Sequence, residues 1–355
     1  MKKQVISMAA ALSISVGLLS GCSSPSKSDT APSQTTAETT TAVKQEESKP
    51  VEESKTETVA ASSWKPEKEI KVIIPFNAGG SSDVACRILV EYMNKYSEAD
   101  FVVENLPGSA GQVGMEACAA ANPDGYTIVS IPTGWFMSYA LGNVDKTYSD
   151  YTPVTIWADS YMALVVNSKS GYDSYSDFIE AAKSKKLLIG GVAGTLPTLA
   201  EYVMAKQEGF EFSFTDMEEK AKQTELLSNR VDAYVDAFAS IEQYLESGDF
   251  NCLALYSNVK LEGYEEIPSL QELGYDFDTD FLSQRYSFWG PKDMDADAVL
   301  YINNVVKQAS EDPECKKALE DLFYSPSWME VNEYNAYCEK VQNNTTKYVN
   351  DIFFE

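Results

Sequence analysis

Apolar runs rich in β-branched residues alternate with amphipathic segments from about position 70 to the carboxyl end of the chain. The first pair is EIKVIIPF followed by SSDVACRILVEYMNKY, which predicts a buried strand and then an amphipathic helix with Ser81 or Ser82 near its cap. Gly79 and Gly80 lie in the turn between the two elements. Such a turn directs backbone N–H groups into the space above the sheet, a geometry that suits an anion.

The same alternation of strand and helix patterns continues along the chain. Apolar segments predict further strands at DFVVENL, YTIVSIP, YMALVVNS, KLLIGGVAG, RVDAYVDAF, CLALYS and YSFWGP. Periodic segments predict helices at QVGMEACAAA, SYSDFIEAAKSKK, the stretch after Pro197, SIEQYLESGDF, PSLQEL, DADAVLYINNVVKQAS and VNEYNAYCEKVQNNTTKYVNDIFF. This order predicts an α/β protein with a mostly parallel sheet in each lobe, and in such sheets ligands bind at the carboxyl ends of the strands.

The amino-terminal residues 1–22 have the pattern of an export signal. Two lysines precede an apolar run that is too short for a membrane span, and the run ends in LSGC, which is similar to the lipobox of bacterial lipoproteins. We expect cleavage before Cys22 and lipidation of Cys22, which anchors a protein to a membrane without spanning it. The alternative is an ordinary secretory signal that ends near a cysteine.

Positions 23–63 consist almost wholly of Ser, Thr, Ala, Glu, Lys, Pro and Gln, without an aromatic residue. A segment of this composition cannot bury enough apolar surface to become ordered, so we expect a disordered stalk. The folded body would then begin at Trp64 and extend to Glu355, a length that favours two lobes over one core.

Composition excludes several classes of function. The formal net charge of −26 at pH 7 argues against nucleic acid as a partner, although local backbone dipoles can still attract a small anion. The chain has no histidine, which removes Ser-His-Asp and Cys-His chemistry, and it carries none of the common nucleotide or nucleophile motifs. We therefore expect no cofactor, no metal and no enzyme activity. The cysteines beyond Cys22 are odd in number and nominate no disulfide pair, so the pairing stays open: Cys86, Cys118, Cys252, Cys315 and Cys338.

The blocks IPFNAGGSSDVACRI and VVENLPGSAGQVGMEACAAANPDGYTI, which lie within positions 70–128, resemble the solute-binding proteins of tripartite tricarboxylate transporters, the Bug family. That family has a strand ending in P-F, a G-G-x-x-D loop, a V-V-E-N-x-P-G-x-x-G block and P-D-G-Y-T. The resemblance implies a two-lobed periplasmic-binding-protein type II-like fold with two crossing hinge strands. It implies lobe 1 at 64–164 plus 286–355 and lobe 2 at 165–285.

The resemblance also implies a carboxylate ligand held between the lobes by three loops and a strand end. The residues that match the family's binding positions are Asn77, Ala78, Gly79, Gly80, Ser81, Ser82, Asp83, Thr133, Gly134, Trp135, Gly191, Val192, Gly194, Thr195, Thr198, Asp236 and Ala237. We add Tyr161 as part of the cleft wall, and we hypothesise that the Arg285 guanidinium clamps a second carboxylate.

Purely structural roles are the alternative for several of these residues. The glycines can serve only as tight strand-to-helix turns, Asp83 can simply pair with Arg87 at i+4, and Arg285 can form a surface ion pair. The chain also departs from the family pattern. Val192 replaces a hydroxyl residue, and FSFTDMEEKAK lacks the usual run of proline, tyrosine, lysine and glycine and adds acidic residues. These departures bear on the identity of the ligand more than on the fold.

The leading functional hypothesis is an extracytoplasmic solute-binding lipoprotein, anchored to the bacterial cell membrane. It would capture a small organic acid, such as a di- or tricarboxylate, and deliver it to the large and small membrane permease subunits of a tripartite transporter. One alternative is a ligand-sensing receptor that docks a signalling partner. Another is a binder of a zwitterionic or cationic molecule, and an enzyme on the same fold is the least supported hypothesis.

Overall fold

The computed structural model describes residues 62–257, 260–275 and 279–354. The predicted signal peptide, the lipidation site Cys22 and the stalk as far as residue 61 lie outside the described residues. At the start of the described chain, the hydroxyl of Ser62 donates to the backbone oxygen of Asp297 at 2.6 Å. None of the helices within the described ranges combines the length and the apolar composition that a membrane crossing requires.

The strands form two sheets. In chain order they are β1 (Ile70–Ile74), β2 (Phe101–Asn105), β3 (Thr127–Pro132), β4 (Tyr151–Ser160), β5 (Met162–Asn167), β6 (Leu187–Gly191), β7 (Phe212–Asp216), β8 (Ala233–Ala237), β9 (Phe250–Tyr256), β10 (Gln284–Pro291) and β11 (Tyr324–Pro326). The first sheet has the order β11-β4-β10-β3-β1-β2, and the second has the order β7-β6-β8-β5-β9.

Helices connect and cover the strands. The α-helices are α1 (Ser81–Tyr96), α2 (Gln112–Ala119), α3 (Gly134–Ala140), α4 (Tyr175–Ser184), α5 (Leu196–Glu208), α6 (Lys222–Leu227), α7 (Phe238–Glu246), α8 (Ala296–Glu311), α9 (Pro313–Glu320) and α10 (Val331–Phe353). Short 3-10 turns lie at Ser109–Gly111, Tyr148–Asp150, Glu219–Ala221 and Thr279–Leu282.

The chain crosses between the sheets at a single residue, Tyr161, where β4 of the first sheet runs directly into β5 of the second. It returns to the first sheet through β10, which lies between β3 and β4. The molecule is therefore a mixed α/β protein with two sheets and two crossing strands, as the sequence predicts. The crossing at Tyr161 lies three residues before the expected lobe boundary at 164.

The prediction of mostly parallel sheets is wrong. β1 pairs in parallel with β2 and β3, and β6 pairs in parallel with β7 and β8. In contrast, β10 is antiparallel to both of its neighbours, and β5 is antiparallel to β8 and β9. A strand that arrives from the other sheet enters at the carboxyl ends of the parallel strands and must run against them, which explains both reversals.

The sequence patterns of β1 and α1 explain how these two elements pack. Three of the last four residues of β1 are fully or almost fully buried because layers of helices cover both faces of the first sheet. Helix α1 buries a stripe with helical spacing against this sheet: Ala85, Cys86, Leu89, Val90 and Met93. Cys86 and Cys118 are fully buried, and the five cysteines within the described residues are free thiols.

One predicted helix is absent from the described residues. The segment PSLQEL forms turns beside the edge strand β9 instead, because its backbone bonds to that strand. The N–H of Leu255 donates to Pro268 at 2.9 Å, and the N–H of Leu270 donates to Leu255 at 3.1 Å. These bonds hold the start of the segment against the strand, and a single i to i+4 bond, from the N–H of Leu273 to the backbone oxygen of Ser269 at 3.1 Å, closes the turn that follows. The sequence patterns do not predict β4, β7, β11, α3, α6 and α9 as separate elements.

Candidate functional site

A cavity of about 290 Å³ lies between the two sheets, beside the crossing strands. Its walls contain hydroxyl groups, short apolar side chains and one pair of opposite charges. The lining residues are Ser81, Ser160, Met162, Val192, Thr195, Pro197, Lys222, Val235, Asp236, Ala237, Ala239, Ser240, Gln284, Tyr286 and Tyr324. The predicted residues Ser81, Val192, Thr195, Asp236 and Ala237 are among them.

The first turns of three helices open onto this cavity. Ser81 begins α1, Thr195 and Pro197 flank the start of α5, and Ala237 precedes α7. None of these three helices carries a side-chain hydrogen bond at its N-cap within the described residues. Side chains cap α4, α8, α9 and α10, whereas α2, α3 and α6 also lack such a bond. The uncapped ends present partial positive charge and backbone donors to the cavity, which favours an anion.

The loop between β1 and α1 is organised by Asp83, which is almost fully buried. Its Oδ2 accepts from the N–H of Gly79 at 2.8 Å, and its Oδ1 accepts from Asn105 Nδ2 at 2.8 Å and from Arg87 Nε at 3.0 Å. Asn105 Nδ2 also donates to the backbone oxygen of Phe76 at 3.1 Å. Asp83 thus does both things that the sequence left open: it pairs with Arg87, and it orders the loop.

Burial by itself would raise the pKa of Asp83. The hydrogen bonds from Gly79, Asn105 and Arg87 outweigh that effect, and the net result is a pKa below the usual value. The remaining residues of this loop, Asn77, Ala78, Gly79 and Gly80, are exposed, and Ser82 is half-buried. Gly79 has a φ of +81°, a conformation that favours glycine and lets its N–H turn inward to the carboxylate.

The third-strand loop does not line the cavity. Thr133 is buried and joins β3 to β10: its N–H and its hydroxyl both donate to the backbone oxygen of Arg285, at 2.9 and 3.1 Å. Gly134 begins α3, and Trp135 is buried with its indole N–H donating to Lys146 O at 3.2 Å. The structure therefore places Trp135 in the hydrophobic core and not in the cavity lining.

Tyr161 and Arg285 also lie outside the cavity lining. Tyr161 is buried in the hydrophobic cluster of the second sheet, and its backbone oxygen accepts from the N–H of Phe238 at 2.8 Å. Arg285 Nε donates to Asp159 Oδ1 at 2.6 Å, and the guanidinium lies 4.9 Å from the Tyr337 ring centroid.

The position of Arg285 follows from strand alternation. Gln284 and Tyr286 line the cavity, so the residue between them in β10 points to the opposite face of the sheet. Asp159 is its register partner in β4, which places the two side chains on the same face. Arg285 thus lies outside the cavity lining and forms the ion pair that the sequence left open as the alternative to a ligand clamp.

In the loop before α5, the hydroxyls bond to the loop itself. Thr195 Oγ1 and Thr198 Oγ1 each donate to the backbone oxygen of Val192 at 2.8 Å. Thr198 is buried below the cavity, and a Cβ at Gly191 would lie 2.6 Å from its Oγ1. Gly191 is therefore required for packing, which is the structural role that the sequence left open for it. Gly194 has a φ of +77° and supplies a left-handed turn before the helix.

Sequence reasoning missed the charge that faces the cavity. Lys222 Nζ lies 2.8 Å from Asp236 Oδ2, and the two side chains are 3% and 5% exposed. Lys222 belongs to the segment that was noted only for its added acidic residues. One of those acids, Asp216, accepts from the N–H of Ala193 at 2.9 Å and so holds the second-sheet glycine loop. A lysine in a glutamate-rich segment has the pattern of an exposed residue. Only its pairing with Asp236, at the end of β8, distinguishes Lys222 from an exposed lysine.

A second cavity, of about 610 Å³, is larger but lies wholly within the second-sheet half of the molecule. It is bounded by the start of α4, the end of α7 and strand β9, and three acidic residues line it: Asp173, Glu246 and Glu266. Ser174 caps the helix that reaches this cavity by accepting from the N–H of Asp177. Acidic walls and a capped helix make it a poor site for an anion, so the smaller cavity between the sheets is the candidate site.

Comparison with known proteins agrees with this architecture. The family model described as the tripartite tricarboxylate transporter family receptor matches residues 85–352. The protein BugT of Bordetella pertussis is 27% identical over 256 residues, which cover 69% of this chain and 77% of BugT. The match to the family model spans the loop before α5, the crossing strands and the end of β8.

Two solved structures share the fold. A TctC solute-binding protein from Polaromonas superposes with a TM-score of 0.72 at 21% identity, covering 81% of this chain and 99% of that protein. A protein from R. palustris with adipate superposes with a TM-score of 0.66 at 20% identity, covering 80% of this chain and 97% of that protein. The chain thus belongs to the tripartite tricarboxylate transporter receptor family, whose members are extracytoplasmic substrate-binding proteins of the Bug type and not enzymes.

Proposed function

We propose that this chain captures a small organic acid in the cavity between the two sheets and delivers it to the large and small permease subunits of a tripartite transporter. One observation carries the proposal: α1, which follows a strand of the first sheet, and α5 and α7, which follow strands of the second, have N-termini at the same cavity without side-chain caps. Backbone donors at such ends stabilise a carboxylate that has left water, and an unmatched buried carboxylate would be costly.

The size of the cavity fits a small metabolite. Its volume of about 290 Å³ lies at the lower end of the range for small-molecule sites. The charges of Lys222 and Asp236 cancel, so the described lining residues carry no net charge although the whole chain has a net charge of −26. The R. palustris neighbour with adipate supports an acid of this size as the ligand class.

The binding residues that we propose are the loop from Asn77 to Asp83, the loop from Gly191 to Thr198, and the end of β8 at Asp236 and Ala237. Asp83, Gly191 and Thr198 act by holding these loops in shape, as their contacts indicate. The donors would be the hydroxyl of Ser81 and the backbone N–H groups in the first turns of α1 and α5, since the N–H groups of Gly79 and Ala193 already donate to Asp83 and Asp216.

We also propose a hinge between two lobes, with lobe 1 at 64–164 plus 286–355 and lobe 2 at 165–285. The crossings at Tyr161 and through β10 are the covalent links that such a hinge would use. Closure of the lobes over the acid would strengthen its hydrogen bonds by excluding water, and the closed form would be the one that docks on the permease.

Anchoring through Cys22 is part of the same proposal. A lipidated Cys22 followed by the stalk 23–63 would tether the binding body near its permease. Metabolic labelling with a palmitate analogue tests this in cells that produce the wild-type chain and the Cys22→Ser variant. Incorporation into the wild type alone is the expected result, and equal labelling of both chains contradicts lipidation at Cys22.

Native mass spectrometry of the freshly purified body, followed by calorimetric titration with di- and tricarboxylates, aromatic acids and amino acids, tests the function. We expect a bound or titrated small acid at one site per chain. Binding of a cationic or zwitterionic compound, with no acid bound, contradicts the proposal.

A further inference from the structure

The cavity contains a buried ion pair whose cation, Lys222, is not among the residues that the family resemblance assigns to the site. Lys222 Nζ and Asp236 Oδ2 are 2.8 Å apart, and both side chains are almost fully excluded from solvent. Among the described residues that line the cavity, these two are the charged ones, and Lys222 is the cation. Lys222 begins α6, and its ammonium lies 5.9 Å from the ring centroid of Tyr234 in β8.

Asp236 is held in place from two sides. Its Oδ1 accepts from the N–H of Ala237 at 2.8 Å, while its Oδ2 faces the ammonium of Lys222. The carboxylate is therefore fixed at the cavity wall, where an approaching acid would meet a like charge. The ammonium of Lys222 cancels that charge, and without it the cavity would repel the ligand class that the helix ends attract.

A third titratable group lies behind the pair. Glu201 is fully buried; its Oε1 accepts from the N–H of Val235 at 2.9 Å, and its Oε2 has no hydrogen-bond partner in the described structure. Burial raises the pKa of Glu201 well above its usual value, with Lys222 opposing and Asp236 reinforcing that shift. The raised pKa favours the neutral form of Glu201, which does not compete with Asp236 for the ammonium.

Stability alone gives a weak reason for such a pair. Removing two charges from water costs free energy, and well-packed apolar replacements of buried pairs are often neutral or stabilising. A buried cation on the wall of a cleft is, by contrast, a usual feature of a ligand site. Ligand binding at the cavity therefore explains the buried pair better than a contribution to stability does.

We propose that Lys222 is a specificity-determining residue, whose ammonium binds the second oxyanion group of a ligand that the helix ends hold by its first. This inference rests on the proposed function, since it assumes that an acid occupies the cavity. It adds a selection rule: an acid with two oxyanion groups binds more tightly than the acid of equal length with one.

The test compares acids of matched length by calorimetry: succinate with butyrate, and adipate with hexanoate. For the wild type we expect at least one dicarboxylate to bind on the order of 10- to 100-fold more tightly than its monocarboxylate, the range of a charge-assisted hydrogen bond. The Lys222→Met/Asp236→Asn double variant removes both charges without leaving one unpaired, and we expect its preference for the dicarboxylate over the monocarboxylate to fall to within about threefold.

Matched controls separate the alternatives. Lys220→Met removes an exposed lysine from the same segment, and we expect it to keep the wild-type preference. The single variant Lys222→Met leaves Asp236 uncompensated and should weaken the binding of both acids. If the double variant does not fold, as judged by near-UV circular dichroism, Lys222→Gln/Asp236→Asn takes its place, because its two amides can hydrogen-bond each other.

Two outcomes overturn the inference. One is a double variant that keeps the wild-type preference, and the other is a wild type that binds both acids of each pair equally. A wild type that binds no acid of either class contradicts the proposed function itself, which is a distinguishable result.

Discussion

The carboxylate of Asp83 accepts a hydrogen bond from the backbone N–H of Gly79, four residues earlier, at 2.8 Å. This bond closes the loop between β1 and α1. Asn105 and Arg87 bond to the same carboxylate and fix it in turn. The loop that precedes the uncapped end of α1 is therefore held by the protein before any ligand arrives, which reduces the cost of ordering it on binding.

Asp83→Asn removes the charge and replaces an acceptor by a donor at nearly constant volume. We expect ligand affinity to fall on the order of tenfold and the free energy of unfolding to fall by about 1–2 kcal/mol, because hydrogen bonds to a charged acceptor are lost. Calorimetric titration and urea unfolding measure the two effects. Arg87→Met is the matched control. It removes the more exposed partner of the pair and should cost less than about 1 kcal/mol. Unchanged affinity in Asp83→Asn would show that the loop does not depend on this carboxylate.

The pH dependence of the Asp83 contribution follows from its lowered pKa. A carboxyl group whose pKa is lower in the folded than in the unfolded protein stabilises the fold at pH values above the unfolded pKa, which is about 3.9. That contribution is lost as the pH falls through the folded pKa. The difference in unfolding free energy between wild type and Asp83→Asn should be constant from about pH 5 to 8 and shrink at about pH 4 and below. A difference that grows on acidification contradicts this assignment.

Glu201 should behave in the opposite way. Its pKa is raised by burial, so the unfolded chain releases this proton at a lower pH than the folded protein does. Its contribution to stability therefore declines with rising pH above about 4.3, by up to about 1.4 kcal/mol per pH unit until the folded pKa is reached. Glu201→Gln keeps an acceptor for the N–H of Val235 and removes the titration. We expect this variant to gain stability relative to wild type between pH 4 and 7 in urea unfolding. A stability difference that does not change with pH would refute the buried neutral carboxyl.

Gly191 and Thr198 should show coupled effects on stability. A Cβ on residue 191 would lie 2.6 Å from Thr198 Oγ1 and 3.2 Å from Glu201 Oε2, so Gly191→Ala must displace the start of α5. We expect a loss of about 1–3 kcal/mol in the free energy of unfolding. Thr198→Ala removes the nearer atom, so the double variant should lose less than the sum of the two single variants. Strict additivity would contradict the close contact.

Local sequence signals predict elements well where tertiary structure adds nothing to them. The bounds of α1 follow from its glycine turn, its apolar spacing and its basic end, and the structure reproduces them from Ser81 to Tyr96. The switch between sheets at Tyr161 carries no such signal, since no glycine or proline separates β4 from β5. The strands separate at Tyr161 because β4 and β5 pair with different sheets, which the local sequence does not indicate.

The charged residues of the site show the same limit. Arg285 was expected in the cleft, but the register of β10 against β4 places it on the opposite face beside Asp159. Lys222 was not expected there, because a lysine within EEKAK has the pattern of a surface helix. It is buried only because α6 packs where β8 ends in Asp236. Side-chain direction on a strand and pairing across distant segments are set by the assembled fold.

A crystal structure of the protein with a saturating small dicarboxylate tests the central claim most directly. The account predicts carboxylate oxygens within hydrogen-bonding distance of backbone N–H groups at the first turn of α1 and at the first turn of α5 or α7, in the cavity lined by Ser81, Thr195 and Ala237. An acid bound elsewhere on the molecule, with these helix ends occupied by water alone, would contradict it.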